Sequence, residues 1–143
     1  MARIEKVVVD ASVLVKWYNL EDDSENALRL RNDYASRQVE LIAPYLITYE
    51  IANSLRYNPD FGAEDVNSAI TDLMNMQLCL KLLDETQIRR ATDLAFKYGI
   101  TIYDAVYLAL AETDEVPLYT ADERLMVKTT QPRIRHIRDY GKS

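Results

Sequence analysis

Two carboxylates, Asp104 and Asp122, lie in otherwise apolar surroundings in the stretch from residue 101 to residue 125. Their neighbours in sequence include Ile102, Val106 and Leu118. An ionised carboxylate packed against such residues is costly unless hydrogen-bond donors, a cation or a metal ion compensate its charge. The rest of the chain must therefore supply that compensation.

Two further acidic residues occupy positions from which they can join this pair. Asp10 follows a run of valines that is typical of a buried strand, and Glu50 lies in a predicted helix where an apolar face gives way to a polar one. Asp122 follows another predicted strand. Because the carboxyl ends of parallel strands meet at one edge of a sheet, we expect Asp10 and Asp122 to reach the same edge.

Carboxylates without a nearby His or Cys favour hard divalent cations, Mg²⁺ or Mn²⁺, over zinc. One or two such ions can activate a water molecule and neutralise the charges of a phosphodiester, so that hydrolysis needs no covalent enzyme intermediate. The hydroxyls of Ser12 and Thr120 could orient the metal-bound water or one of the carboxylates. This combination favours metal-dependent hydrolysis of phosphodiester bonds.

Each of these residues also has a simpler interpretation. Asp104 lies in the first turn of a predicted helix, where the helix dipole favours an acid, and Asp122 can cap the helix that follows it. Asp10 after three valines also resembles a phosphoryl-accepting aspartate, although Ser12 stands where a second acid is expected. Ser12 and His136 with an acid could form a hydrolase triad, but the chain has no Gly-x-Ser-x-Gly motif.

Hydrophobic periodicity and turn residues predict alternating strands and helices. Strands are predicted at 4–9, 40–43, 78–83, 117–120 and 133–137. Helices are predicted at 13–20 with Ser12 as its N-cap, 24–37, 44–57 with Pro44 in its first turn, 63–77, 85–98 closed by Gly99, 102–112 and 121–128. Helices of this length can cross between parallel strands, so we expect an α/β fold with a mainly parallel sheet covered on both faces.

Four segments resemble the signature segments of PIN-domain ribonucleases, in particular the VapC-type toxins of toxin–antitoxin pairs. They occur in the family's order and are VVVDASVLVKWY, APYLITYEIANSL, ITIYDAVYLALAE and LYTADERL. The resemblance extends over nearly the whole chain. It implies a single PIN domain over residues 1–143, with the three-layer α/β fold of that family and a central, mainly parallel sheet of about five strands.

The same resemblance implies an activity and a site. The residues that match the family's acidic, metal-binding and catalytic positions are Asp10, Glu50, Asp104 and Asp122, with Ser12 and Thr120 as supporting hydroxyls. The implied cofactor is Mg²⁺ or Mn²⁺, the implied reaction is endonucleolytic cleavage of RNA, and the implied partners are a second copy of the chain and an antitoxin protein. The alternative is a non-catalytic PIN-like module that binds RNA or a protein, against which the retention of all four acids argues.

The formal net charge of −6 argues against a protein that attracts nucleic acid over its whole surface. Carboxylates at a metal site are neutralised by the ions that they hold, so the distribution of charge matters more than the sum. Basic residues are concentrated after residue 123. The candidates for following an RNA backbone past Asp122 are Arg124, Lys128, Arg133 and Arg135.

The chain has one cysteine and one histidine, which excludes an internal disulfide and a Cys/His zinc set and suits a reducing cytoplasm. The N-terminal stretch MARIEKVVVD contains no apolar region followed by a small-residue cleavage site. No apolar run approaches the ~18 residues that a membrane-spanning helix requires. We therefore expect a soluble cytoplasmic protein without membrane contact.

Overall fold

The structure, a computed structural model, describes residues 4–142. Residues 1–3 and 143 lie outside it, and with them the two ends of the predicted 1–143 domain and the start of the N-terminal stretch considered above. The strands are β1 (Glu5–Val9), β2 (Val39–Pro44), β3 (Cys79–Lys81), β4 (Leu118–Thr120) and β5 (Ile134–His136). The α-helices are α1 (Ala11–Leu14), α2 (Ser24–Ala35), α3 (Leu46–Arg56), α4 (Ala63–Asn75), α5 (Glu85–Tyr98), α6 (Ile102–Asp114) and α7 (Glu123–Lys128), and short 3₁₀ turns occupy Val15–Trp17 and Ile137–Asp139.

The strands form one parallel sheet in the order β3-β2-β1-β4-β5. Val8 of β1, for example, lies opposite Ile42 of β2 on one side and Leu118 of β4 on the other. This confirms the predicted α/β architecture with a five-stranded parallel sheet between helices. The chain runs outward from β1 to β3 and then crosses back to place β4 on the other side of β1, so the strand order reverses between β1 and β4. Open α/β sheets bind ligands in the crevice beyond such a reversal.

The core explains why the central elements are so apolar. Val7, Val8 and Val9 of β1 are fully buried because helices cover both faces of the sheet there, whereas Glu5 and Lys6 at the start of the strand are exposed. Helix α6 packs against α5, β1 and β2, and its residues from Tyr107 to Ala111 are buried, as its sequence predicts. Burial of each large apolar side chain contributes about 1.5–3 kcal/mol. Because α6 is held by this packing, the backbone position of Asp104 in its first turn is fixed.

The predicted elements are all present, but three helix starts near the crevice differ from the prediction. The helix predicted over 121–128 begins at Glu123, because Asp122 caps it. Helix α1 begins at Ala11, and the Asp10 carboxylate caps it by accepting the Ser12 backbone N–H at 3.0 Å, so the assignment of Ser12 as the N-cap of a helix over 13–20 is wrong. Pro44 is the last residue of β2, opposite Lys81, and α3 begins at Leu46. The fixed φ of proline suits a strand end as well as a helix start, so the sequence did not distinguish them.

Gly99 ends α5 in a left-handed conformation with φ of +65°, and a Cβ at this position would meet no heavy atom within 4 Å. Only backbone strain therefore opposes a side chain here. We expect Gly99→Ala to lower the free energy of unfolding by about 1 kcal/mol, as measured by chemical denaturation. Gly99→Asn is the matched control and should cost less, because asparagine tolerates this conformation better. Equal losses from both variants would contradict the explanation.

Within the described residues, no single helix is long and apolar enough to cross a membrane. The pair α5 and α6 meets the criteria by length and composition only, and the two helices are bent by 118° relative to each other. Much of α6 is buried against the sheet.

Candidate active site

Asp10 lies in the loop between β1 and α1, with its side chain buried at the edge of the sheet. Its Oδ1 accepts hydrogen bonds from both the backbone N–H and the hydroxyl of Ser12. Burial raises the pKa of Asp10 from 3.8 to about 7, the hydroxyls of Ser12 and Thr120 oppose this rise, and the negative charge of Asp104 adds to it. The ionised form of Asp10 therefore lacks sufficient compensation from the protein itself.

Two hydroxyls join the loops that follow β1 and β4. The Ser12 hydroxyl oxygen accepts the backbone N–H of Ala121 at 2.8 Å and lies 3.3 Å from the hydroxyl of Thr120. Thr120 is fully buried and accepts the backbone N–H of Asp122 at 3.0 Å. Both residues thus fix the loop that carries Asp122 against the loop that carries Asp10. Their predicted role toward a metal-bound water stays a prediction.

Asp122 is the N-cap of α7, which confirms one of its two interpretations. Its Oδ1 accepts the backbone N–H groups of Arg124 at 2.9 Å and Leu125 at 3.3 Å. These hydrogen bonds fix the carboxylate at the beginning of the helix. They end on one oxygen only, so capping and metal binding are compatible in the same side chain.

Asp104 is the centre of the charge interactions among the acidic residues. Burial raises its pKa, and so does the negative charge of Asp122, whereas a hydrogen bond from Thr101 and the nearby cations of α7 lower it. Glu50, on α3, has a pKa raised by burial and by the charge of Asp104. The hydroxyl of Tyr107 donates to Oε1 of Glu50 at 2.6 Å and lowers the same pKa.

The four predicted acidic residues lie close enough for the charge of one to affect the pKa of another. The charge of Asp104 acts on both Asp10 and Glu50, and the charge of Asp122 acts on Asp104. An all-oxygen donor set with uncompensated negative charge fits a hard divalent cation. Among residues 4–142, however, no three Asp, Glu, His or Cys side chains are already gathered as ligands of one ion. Binding an ion through three of these residues therefore requires their side chains to move.

Two of the four predicted RNA-contacting cations lie near the acidic residues. Arg124 and Lys128, on α7, lower the pKa of Asp104, and the ammonium of Lys128 also donates to the backbone carbonyl of Gly99 at 3.1 Å. Arg133 and Arg135 are exposed at the edge strand β5. Neither of them is among the main causes of the raised pKa values of Asp10, Glu50 and Asp104.

His136 is structural and does not form a triad with Ser12. Its Nδ1 accepts the backbone N–H of Arg138 at 3.0 Å, and its Nε2 lies 3.2 Å from a carboxylate oxygen of Glu123. Among residues 4–142 these are its polar partners, whereas those of Ser12 belong to the β1 and β4 loops. The buried imidazole therefore connects β5 to the first turn of α7.

Tyr107 is a site residue that the sequence interpretation does not identify. Its side chain is only 1% exposed, yet its hydroxyl reaches Glu50 on a different helix. The one available signal is its position three residues after Asp104, because residues at i and i+3 share a helix face. Its partner lies 57 positions away in the chain, and this pairing cannot be inferred from spacing.

The sequence of the chain matches a known protein family and a characterised relative. The family model of the PIN domain matches residues 7–129. Ribonuclease VapC3 of Pyrobaculum aerophilum is 35% identical over 127 residues, which cover 86% of this chain and 94% of that protein.

Two solved structures share the fold at low sequence identity. The sarcin-ricin loop cleaving toxin VapC20 of Mycobacterium tuberculosis superposes with a TM-score of 0.67 at 16% identity, covering 85% of this chain and 93% of that one. A toxin–antitoxin complex from Klebsiella pneumoniae gives a TM-score of 0.65 at 14% identity, covering 92% of this chain and 97% of that one. The predicted PIN-like α/β fold is thereby confirmed.

Proposed function

Because the chain belongs to the PIN domain family, we propose that it is an endoribonuclease that hydrolyses RNA phosphodiester bonds with the help of Mg²⁺ or Mn²⁺. The observation that carries this proposal is the closeness of its acidic residues: the charge of Asp104 raises the pKa of Asp10 and Glu50, and the charge of Asp122 raises the pKa of Asp104. The name of the relative Ribonuclease VapC3 supports RNA as the substrate.

The proposed roles follow from the position of each side chain. Asp10, Glu50, Asp104 and Asp122 would hold the divalent ion, which supplies Lewis-acid chemistry and neutralises charge on the phosphodiester. Ser12 and Thr120 keep the loops of Asp10 and Asp122 together.

The proposed RNA contacts are made by basic residues. Arg124 and Lys128 provide positive charge beside Asp104, where they can pair with the phosphates of an RNA backbone. Arg133 and Arg135 are proposed to contact the same strand farther from the acidic residues.

A cleavage assay with purified protein tests the proposal. A labelled RNA containing single-stranded and loop regions should be cut internally in Mn²⁺ or Mg²⁺, because these ions suit carboxylate ligands. The same RNA should stay intact when EDTA removes the ion. A DNA strand of the same sequence is the control for substrate class. Undiminished cleavage in EDTA would contradict the metal-dependent mechanism.

We further propose that the protein is the toxin of a toxin–antitoxin pair, forms a homodimer and acts in the cytoplasm. The toxin assignment is supported by the toxin VapC20 and the toxin–antitoxin complex that share its fold, and by the name of Ribonuclease VapC3. A small protein encoded by a gene next to that of this chain should bind it and suppress RNA cleavage.

Light scattering of the isolated protein should give the mass of two chains, and a mass of one chain would contradict the dimer.

One observation favours a second candidate, a non-catalytic PIN-like module that binds RNA or a protein. Within residues 4–142, no three potential ligands are gathered around one point. A titration with Mn²⁺ separates the two candidates. The nuclease should bind the ion, whereas the absence of binding together with retained RNA binding would favour the module.

A further inference from the structure

Among the described residues, Tyr107 is the hydrogen-bond donor to the Glu50 carboxylate. Its hydroxyl donates to Oε1 at 2.6 Å and connects α6, which carries Asp104, to α3, which carries Glu50. The ring is 1% exposed and belongs to the core, so its position is fixed by packing. The hydrogen bond therefore restricts Glu50 rather than following its movements.

The hydrogen bond makes the two carboxylate oxygens of Glu50 different, because it ends on only one of them. Among the hydrogen bonds of residues 4–142, the one from Tyr107 reaches Oε1 and none reaches Oε2. A carboxylate oxygen accepts and a phenolic hydroxyl donates, so Tyr107 is the donor of this hydrogen bond. One acceptor position of Oε1 is thus occupied by the protein, so Oε2 is the oxygen better placed to bind a cation.

We propose that Tyr107 is a positioning residue that makes Glu50 a one-oxygen ligand, and that it thereby favours Mg²⁺ or Mn²⁺ over Ca²⁺. Ca²⁺ takes six to eight oxygens and often binds both oxygens of one carboxylate, whereas Mg²⁺ requires near-octahedral geometry and commonly keeps several waters. A carboxylate with one oxygen already bonded suits the smaller ion. This inference rests on the proposed function, because it assumes that Glu50 is a metal ligand.

The Asp122 carboxylate follows the same pattern, which agrees with the proposal. Both of its hydrogen bonds end on Oδ1, where they cap α7. Its other oxygen receives no hydrogen bond from the described residues. Two of the proposed ligands therefore present a single oxygen each, although one is fixed by a tyrosine and the other by backbone N–H groups.

The test compares Mn²⁺ and Ca²⁺ binding to the full chain by calorimetric titration without RNA. For Tyr107→Phe we expect Mn²⁺ affinity to fall by about 10-fold, as is typical when a partner of a metal ligand is removed. Ca²⁺ affinity should fall much less or rise, because Glu50 can then offer both oxygens. The ratio of the two dissociation constants is the decisive quantity, and an equal change for both ions, or none, would overturn the inference.

Tyr140→Phe is the matched control. Tyr140 is also buried and donates to Oδ2 of Asp33 at 2.6 Å, but this pair lies outside the proposed site. It should leave both affinities unchanged, and a shift like that of Tyr107→Phe would contradict a specific role for Tyr107. Partial unfolding of either variant reduces the number of binding sites for both ions alike and leaves the ratio of dissociation constants unaffected.

Failure of this inference can be distinguished from failure of the proposed function. If the unsubstituted protein binds no Mn²⁺, the proposed metal site itself is wrong. If it binds Mn²⁺ and prefers it over Ca²⁺, but Tyr107→Phe keeps that preference, only the role assigned to Tyr107 is wrong.

Discussion

Replacing Asp10 with asparagine is expected to slow Mn²⁺-dependent RNA cleavage on the order of 10³-fold, which corresponds to about 4 kcal/mol of transition-state stabilisation. Asp10 is the most deeply buried of the proposed ligands, and its negative charge is the property that asparagine lacks. Asparagine keeps the oxygen that accepts the Ser12 N–H and remains a good helix N-cap, so the fold should be retained. The measurement is the single-turnover cleavage rate at saturating Mn²⁺.

Asp84→Asn provides a control of the same chemistry. Asp84 caps α5 by accepting the backbone N–H of Gln87 at 2.8 Å, and it is exposed. The substitution changes a capping aspartate to asparagine away from the site and should leave the cleavage rate unchanged. Cleavage by Asp10→Asn at the rate of the unsubstituted protein would exclude Asp10 as a ligand required for the reaction.

The same substitution is expected to stabilise the metal-free protein at high pH. The pKa of Asp10 is raised from 3.8 to about 7 on folding, so between these values the folded chain holds a proton that the unfolded chain has lost. The free energy of unfolding should therefore decrease as pH rises through this window, and above pH 7 the loss is complete at up to about 4 kcal/mol. Asparagine does not titrate and avoids this loss.

Urea denaturation in EDTA at pH 4 and pH 8 measures the effect. The difference in free energy of unfolding between Asp10→Asn and the unsubstituted protein should shift in favour of the variant by about 2–4 kcal/mol from pH 4 to pH 8. Asp84→Asn should show no such shift relative to the unsubstituted protein. If the difference in free energy of unfolding between Asp10→Asn and the unsubstituted protein does not change with pH, Asp10 does not carry a buried, uncompensated charge.

Most of the fold can be predicted from the sequence, because the residues that begin and end each helix or strand lie next to it in the chain. Helix α5 runs over 85–98 as predicted, since Asp84 and Gln87 form a capping box at its beginning and Gly99 ends it. The buried strand β1 was readable from its valines. At Asp10 two signals overlap, because the residue follows a strand and caps a helix, so the sequence alone predicts the start of this helix too late.

The candidate site was less accessible to sequence reasoning because its parts are distant in the chain. The resemblance to PIN-domain ribonucleases indicated which acids belong together, and their mutual effects on pKa agree with that grouping. The contact between Tyr107 and Glu50 depends on how α6 packs beside α3, which no periodicity encodes. Likewise, Arg124 and Lys128 are among the main charges that lower the pKa of Asp104, because α7 begins beside it.

The position of β4 in the sheet has a consequence for protein synthesis. β1 is made first, but its partner on one side is Leu118–Thr120, near the end of the chain. Until the ribosome has released that segment, the backbone groups on this side of β1 have no strand to pair with, and such open edges promote aggregation. A nascent or prematurely terminated chain that stops before residue 118 also lacks Asp122. Interrupted translation should therefore yield products that aggregate readily and that lack one of the proposed ligands.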